Sequence, residues 1–248
     1  MESVADLMKL TPFNFDNCKR NAQLPPAFLE TCTSNFTKTG TTITGLVYKS
    51  GVILAADTRS TAGPVVANKN KKKIARITDR MYMAGSGTAA DTLMVGRLAA
   101  SSLRLHEYKT GREPLVQSAV SVISNHLFNH LGYVSAYVIL GGVDYKGAHL
   151  CSIDAHGSVN PLPFVTQGSG SLAAQAMLEK YWRAEMEEED AVRCACKAIE
   201  AGILNDLGSG SNIDVVIIRL DGTTDVRHVI AQPGTLSAQR PRGTYPDA

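Results

Sequence analysis

From Ile43 the hydrophobic and polar positions fall into order: Ile43, Gly45 and Val47 alternate with Thr44 and Leu46. Lys49-Ser50-Gly51 then turns into the apolar run Val52–Ala56, a hairpin signal whose second strand closes at Asp57. Val65-Val66, Lys73–Ile77 and Met81–Ala84 predict three further short strands. At Gly85-Ser86-Gly87 the period changes. Met94, Leu98 and Leu105 fall at helical spacing up to a stop at Thr110-Gly111, and a second helix opens after Pro114 with Val116, Val120, Ile123, Leu127 and Leu131 along one face. Strands resume at Tyr133–Leu140, Ala148–Asp154 and Leu162–Thr166, the last two joined by the Asp154–Gly157 turn. Helices follow over Leu172–Tyr181 and from Glu187 to near Leu207, the second opening on carboxylates that suit the positive end of its dipole. Ile213–Leu220 and Val226–Ile230 form a last hairpin.

This order, strands, helix pair, strands, helix pair, strands, predicts an α+β fold. Hairpins dominate, so the sheets are expected to be mainly antiparallel, packed face to face with the helix pairs outside, a four-layer αββα sandwich. Residues 1–40 are polar and irregular, with Pro12, Pro25 and Pro26: a tail, a linker or a removable segment. The folded domain is expected over 41–231, and 232–248 form a polar, Pro/Gly-rich tail, free or wrapped around a neighbour.

Composition narrows the function classes. With 44% hydrophobic residues, 19% charged and a net charge of +2, nothing points to nucleic acid or a membrane surface as partner. No run approaches the ~18 apolar residues of a spanning helix, and no apolar signal core opens the chain, so cytoplasm and nucleus are expected. The five cysteines, Cys18, Cys32, Cys151, Cys194 and Cys196, form no framework and suggest free thiols. Asn35-Phe36-Thr37 matches a glycosylation acceptor but lacks a secretory context.

Four features carry candidate chemistry. First, cutting the Gly40–Thr41 bond would place a free α-amine and a hydroxyl on one residue, a base and nucleophile together. Second, Gly85–Gly87, Gly168–Gly170 and Gly208–Gly210 are Gly-Ser-Gly turns. They suit a phosphate cradle, tight turns, or backbone N–H groups converging as an oxyanion hole; the dinucleotide and Walker registers are absent. Third, in the basic run Lys69–Lys73 strand alternation puts Lys71 and Lys73 on one face, and an inward Lys73 needs a partner, for which Asp57 is placed. Fourth, His126 and His130 are four apart on a helix but lack the glutamate of a zinc motif, so they read as a polar face. There is no Gly-x-Ser-x-Gly elbow.

Together, Lys38–Ile43, Gly51–Arg59, Gly85–Asp91, Gly168–Ala173 and Asn205–Asp214 resemble the beta-type subunits of the proteasome core particle, N-terminal-nucleophile hydrolases. Gly141–Asp144, Glu187–Glu189, the C-terminal tail and Phe15–Cys18 resemble the second, trypsin-like beta class most. The resemblance implies a threonine endopeptidase without metal or cofactor, built into stacked heptameric rings of alpha- and beta-type subunits and acting on unfolded polypeptides. It implies Thr41 as nucleophile with its freed amine as proton acceptor, and a Lys73–Asp57 pair that tunes it. Asp206, Ser169 and Ser209 would orient the amine, the Gly87 N–H would hold the oxyanion, and Thr61 would pair with the substrate backbone.

The leader over residues 1–40 would be removed by self-cleavage, Gly40 leaving its carbonyl open to the Thr41 hydroxyl. At the pocket that would receive the residue before the cut bond, Gly85 matches the trypsin-like class. Leu93 stands where that class carries an acidic residue, and Lys71 where it often carries cysteine, with Asp91 near by. The expected result is a weakened preference for basic residues, in favour of neutral or acidic ones. A non-catalytic ring subunit and a stand-alone amidase are the alternative functions.

Overall fold

In the computed structural model, which describes residues 39–229, strand β2 (Gly51–Asp57) is buried at every position. Ile53 and Ala55 face one core, while Val52, Leu54 and Ala56 face another. A strand covered on both sides has no reason to alternate, which is why Val52–Ala56 is an unbroken apolar run. Its neighbours are β1 (Ile43–Tyr48) and β11 (Ile213–Arg219), both antiparallel to it. β10 (Phe164–Gln167) and β12 (Thr224–Val229) complete a five-stranded sheet in the order β10-β1-β2-β11-β12.

The second sheet runs β5 (Ile74–Thr78), β6 (Met81–Gly87), β7 (Ala136–Asp144), β8 (Gly147–Ile153) and β9 (Val159–Pro161), again antiparallel throughout. Helices α1 (Ala89–Thr110) and α2 (Val116–Asn129) cover its outer face, where Val95, Leu103, Ile123 and Leu127 meet Met83 and Leu140. Helices α3 (Ser171–Tyr181) and α4 (Glu188–Asn205) cover the first sheet through Leu178, Ala195 and Ile199. Between the sheets lies a third core of Ile43, Leu54, Ile139, Val143 and Val216. The result is the expected four-layer αββα architecture of the α+β class.

Several local expectations are corrected. On α1 the stripe Met94, Leu98 and Leu105 points outward, at 60%, 37% and 68% exposure. The face on the sheet is instead Val95, Gly96, Ala99 and Leu103. The helix lies too close for long side chains, since a Cβ on Gly96 would stand 3.3 Å from the Met83 sulfur. The strand expected over Leu162–Thr166 is β10, starting two residues later, and a further strand, β9, which the sequence did not indicate, precedes it in the other sheet. β9 ends one sheet at Pro161, and after Leu162-Pro163 the chain crosses to β10, which pairs with β1. Proline suits that break, having no N–H to give a ladder. Lys73 lies one residue ahead of β5, although its carbonyl still accepts from Gly85 N at 3.1 Å. A short ribbon of β3 (Ser60–Ala62) and β4 (Val65–Asn68) stands apart from both sheets.

The leader expected over 1–40 lies outside the described residues except for Thr39 and Gly40, and the tail over 232–248 lies outside them entirely, as do Cys18, Cys32 and Asn35. Among the described residues no helix is long and apolar enough to cross a membrane.

Candidate active site

Asp57 ends β2 with its side chain fully buried, and four donors converge on it. Oδ1 accepts from Lys73 Nζ at 2.7 Å and Thr42 N at 2.9 Å; Oδ2 accepts from Gly210 N at 3.1 Å and Arg59 N at 3.2 Å. A carboxylate so satisfied is stable inside the protein. Its lysine partner has a side chain only 5% exposed. Burial pushes the Lys73 pKa below the ordinary lysine value; the Asp57 charge and hydrogen bond oppose that, and the Lys71 charge adds to it.

Lys73 Nζ has two further contacts, Thr41 Oγ1 at 3.1 Å and the Gly40 carbonyl oxygen at 3.3 Å. Thr41 Oγ1 in turn donates to that carbonyl oxygen at 2.6 Å. One ammonium thus uses its three protons on a buried carboxylate, a hydroxyl and the carbonyl of the preceding peptide bond.

On the other side of Thr41 a relay of hydroxyls runs to Asp206. Thr41 N donates to Ser169 Oγ at 3.0 Å, and Ser169 Oγ donates to Asp206 Oδ2 at 2.6 Å. Ser209 Oγ also donates to Asp206 Oδ2 at 2.6 Å and lies 2.7 Å from Thr42 Oγ1. Burial pushes the Asp206 pKa up, but hydrogen bonds from Ser169, Ser209 and Gly208 N, with the Lys73 charge, bring it below the ordinary value. The ionised carboxylate accepts only, so both serines must donate to it, and Thr42 must donate to Ser209. The resemblance implies that Ser209 orients the Thr41 amine with Ser169 and Asp206; here Ser209 bonds Thr42 and Asp206, and Ser169 is the serine on the Thr41 nitrogen.

All three Gly-Ser-Gly turns meet here: Gly85 and Gly87 line the cleft beside Thr41, Ser169 holds its nitrogen, and Ser209 holds the next residue. Gly87 has φ +102°, and a Cβ there would stand 2.3 Å from the Ser135 carbonyl oxygen, so only glycine fits. It borders both the cleft of about 160 Å³ on the Lys71 side and a second opening of about 410 Å³ on the Ser169 side. Gly40 packs directly on Gly208, where a Cβ on Gly40 would meet the Gly208 Cα at 2.1 Å.

Thr61, on β3, receives the Gly40 N–H on its hydroxyl at 3.3 Å. Lys71 and Leu93 both line the cleft with Gly85 and Thr61. Asp91 does not line it: its carboxylate accepts from Ser135 N at 3.0 Å, tying the start of α1 to the residue before β7. The rings of His126 and His130 meet tilted, 4.4 Å between centroids, and among the described residues no three His, Cys, Asp or Glu side chains are grouped to hold a metal ion.

Chemically, the arrangement offers a hydroxyl against a carbonyl, a lysine able to exchange a proton with the first and polarise the second, and an ionised Asp/Ser cluster behind the nitrogen. Combined with two antiparallel sheets between helix pairs, this is the sandwich of the N-terminal-nucleophile hydrolases. The comparisons agree. A family model described as "Proteasome subunit" matches residues 37–218. The chain is 48% identical over 217 residues to "Proteasome subunit beta type-7-B" of Arabidopsis thaliana, covering 88% of this chain and 78% of that one. It is 44% identical over 236 residues to "Proteasome subunit beta type-2" of Saccharomyces cerevisiae (93% and 90% covered), and 46% over 210 residues to "Proteasome subunit beta type-10" of Mus musculus (85% and 77%). The chain belongs to the proteasome beta-type subunit family, which implies assembly with other proteasome subunits.

Two contributors escaped the sequence reading. Thr42, the residue after Thr41, is itself anchored twice, through its N–H on Asp57 and its hydroxyl on Ser209, and its side chain is fully buried. Gly208 supplies the surface on which Gly40 rests. The available signals were the tandem threonine and a third Gly-Ser-Gly turn beginning two residues after Asp206.

Proposed function

We propose that this chain is a threonine-type endopeptidase subunit of the proteasome core particle that frees its own nucleophile by cutting the Gly40–Thr41 bond. The observation that carries the reading is the position of Lys73 Nζ, in contact with Asp57, Thr41 Oγ1 and the Gly40 carbonyl oxygen at once.

While Thr41 N is an amide it is not a base, so the hydroxyl proton must go elsewhere. Lys73 is in reach, and its lowered pKa raises the share of free amine that can accept. Thr41 Oγ1 then bonds to the Gly40 carbonyl carbon, and the carbonyl electrons move onto oxygen. Collapse breaks the carbon–nitrogen bond, and the nitrogen takes the proton back from Lys73. The resulting ester is hydrolysed by water to a Gly40 carboxylate and a free threonine. In the mature form the Thr41 amine, held by Ser169 and Asp206, is the proton acceptor as Oγ1 attacks a peptide carbonyl. The amine then protonates the leaving nitrogen, and water releases the acyl group. Gly87, bordering both openings, suits the oxyanion.

The wider setting is stacked heptameric rings of alpha- and beta-type subunits acting on unfolded polypeptides. The outward Met94, Leu98 and Leu105 of α1 support burial against a neighbour. The free thiols of Cys151, Cys194 and Cys196 support the reducing setting of cytoplasm and nucleus.

Intact mass of the chain in assembled particles, with covalent labelling by a threonine-directed electrophile, tests the reading. Loss of residues 1–40 with the label on Thr41 is expected; a retained leader and no label would mark a non-catalytic ring subunit. A second expectation concerns Gly40→Ala. The added methyl cannot share space with Gly208, so the carbonyl is displaced from Oγ1 and Lys73, and leader loss should slow about 100-fold. A time course of intact mass measures this, and a wild-type rate would refute the role given to the Gly40–Gly208 contact.

A further inference from the structure

Among the described residues the cleft beside Thr41 is lined by four cationic residues, Arg59, Lys71, Lys72 and Lys73, and by no carboxylate. Two of the four are already engaged. Lys73 is paired with Asp57, and Arg59 donates to the Leu207 carbonyl at 3.0 Å. Among the described residues no carboxylate pairs with Lys71 or Lys72, and the acid nearest in sequence to the cleft wall, Asp91, is spent on Ser135 N. The remaining wall is uncharged, with Ala75, Met83, Gly85 and Leu93 beside the hydroxyls of Ser60, Thr61 and Thr92.

The leader indicates which part of a substrate meets this wall. Gly40 is the residue on the acyl side of the bond to be cut, and it lines the same cleft as Lys71 and Leu93. A substrate peptide is not tied to Thr41 by a bond and is free to turn its acyl-side side chain into the cleft. Resting on the proposed peptidase function, we propose that this subunit selects peptides with glutamate or aspartate before the cut bond, with Lys71 as the residue that pairs with that carboxylate.

The physical case is a difference of two terms. An acidic side chain gains a charge-assisted hydrogen bond with an ammonium that has no other partner. An arginine or lysine brings a fifth cation into a wall where no anion is free, and like charges in a partly desolvated site select against it. Leu93 and Met83 take the methylenes in either case, so they do not reverse the preference.

The test uses assembled particles and peptide electrophiles that differ only in the residue before the reactive group, Glu, Leu or Arg. Labelling rates are read at Thr41 by mass spectrometry, so other subunits do not contribute. Glu should label Thr41 at least about tenfold faster than Arg. Lys71→Met should narrow the Glu-to-Arg ratio, while Lys71→Arg, which keeps the charge, should preserve its sign. Should a variant fail to assemble, raising the ionic strength on the wild-type particle gives the same reading, because the ratio should fall as the charges are screened. Arg labelling fastest in the wild type, or a ratio indifferent to both Lys71→Met and salt, would overturn the inference and leave the peptidase function standing. No labelling of Thr41 by any of the three would overturn both.

Discussion

Thr41→Ala is expected to leave residues 1–40 attached and to cut this subunit's peptide turnover by at least about 1,000-fold. The substitution removes a hydroxyl that, alone among the described residues, is hydrogen-bonded to both Lys73 and the Gly40 carbonyl. Ser60 and Thr61 also line the cleft, but the hydroxyl of Thr61 is engaged with the Gly40 N–H, and neither side chain is bonded to Lys73. Intact mass reports the leader, and cleavage attributable to this subunit reports the turnover. If the variant matured fully in assembled particles, the Gly40–Thr41 bond would be cut by another protease and the self-cleavage reading would fall. Mature but inactive variant particles would leave Thr41 as nucleophile while removing it from its own maturation.

Asp57→Ala should have the largest effect on stability. It strands the Lys73 ammonium in a buried site and leaves the N–H groups of Thr42 and Gly210 without an acceptor. Removing one partner of a buried ion pair costs about 3–5 kcal/mol, and here the orphaned backbone donors add to it. Asp57→Asn separates the two contributions, since its amide oxygen still accepts from backbone while the charge is gone.

The pH dependence has a definite sign. The folded-state pKa of Lys73 lies below 10.5, so the unfolded chain binds more protons, and stability rises with pH between the two values. Without the Asp57 charge, which holds the Lys73 pKa up, that pKa falls further and the window widens downward. The Tm gap between the wild-type full-length chain and Asp57→Asn should therefore shrink as pH rises towards 10.5. A gap that grows with pH would show that Lys73 is not the group responsible.

Much of this site is legible in the sequence because its parts obey strong local rules. Val52–Ala56 is continuous because β2 is covered on both faces, so Asp57 at its end had to be buried and Lys73 was the near cation of the right phase. The Gly-Ser-Gly turns stand out because two glycines around a small residue let backbone approach closely, as Gly87 does to Ser135 and Gly168 to Thr41. What stayed hidden depends on distances between elements far apart in sequence. On α1 the large residues Met94, Leu98 and Leu105 form the visible stripe, but the helix's close seat on Met83 selects Gly96 and Ala99, so the large residues turn outward. Asp91 lies near the pocket in sequence, yet its carboxylate meets Ser135, 44 residues away. Thr42 looked like a repeat of its neighbour because nothing local reveals that Ser209 and Asp57 both hold it.

The three contacts of Lys73 carry a consequence for the subunit's history. On the proposed function, the same amine stands at the bond whose cleavage releases Thr41 and beside the hydroxyl that later attacks peptides, as the base in the first reaction and as a neighbouring charge in the second. A change that retunes this group, at Lys73 itself or through the charge of Lys71, must therefore shift both rates. Across a series of such variants, leader loss and turnover should both depart from the wild-type rates. A variant that changes one rate and leaves the other untouched would mean that Lys73 serves only one of the two reactions.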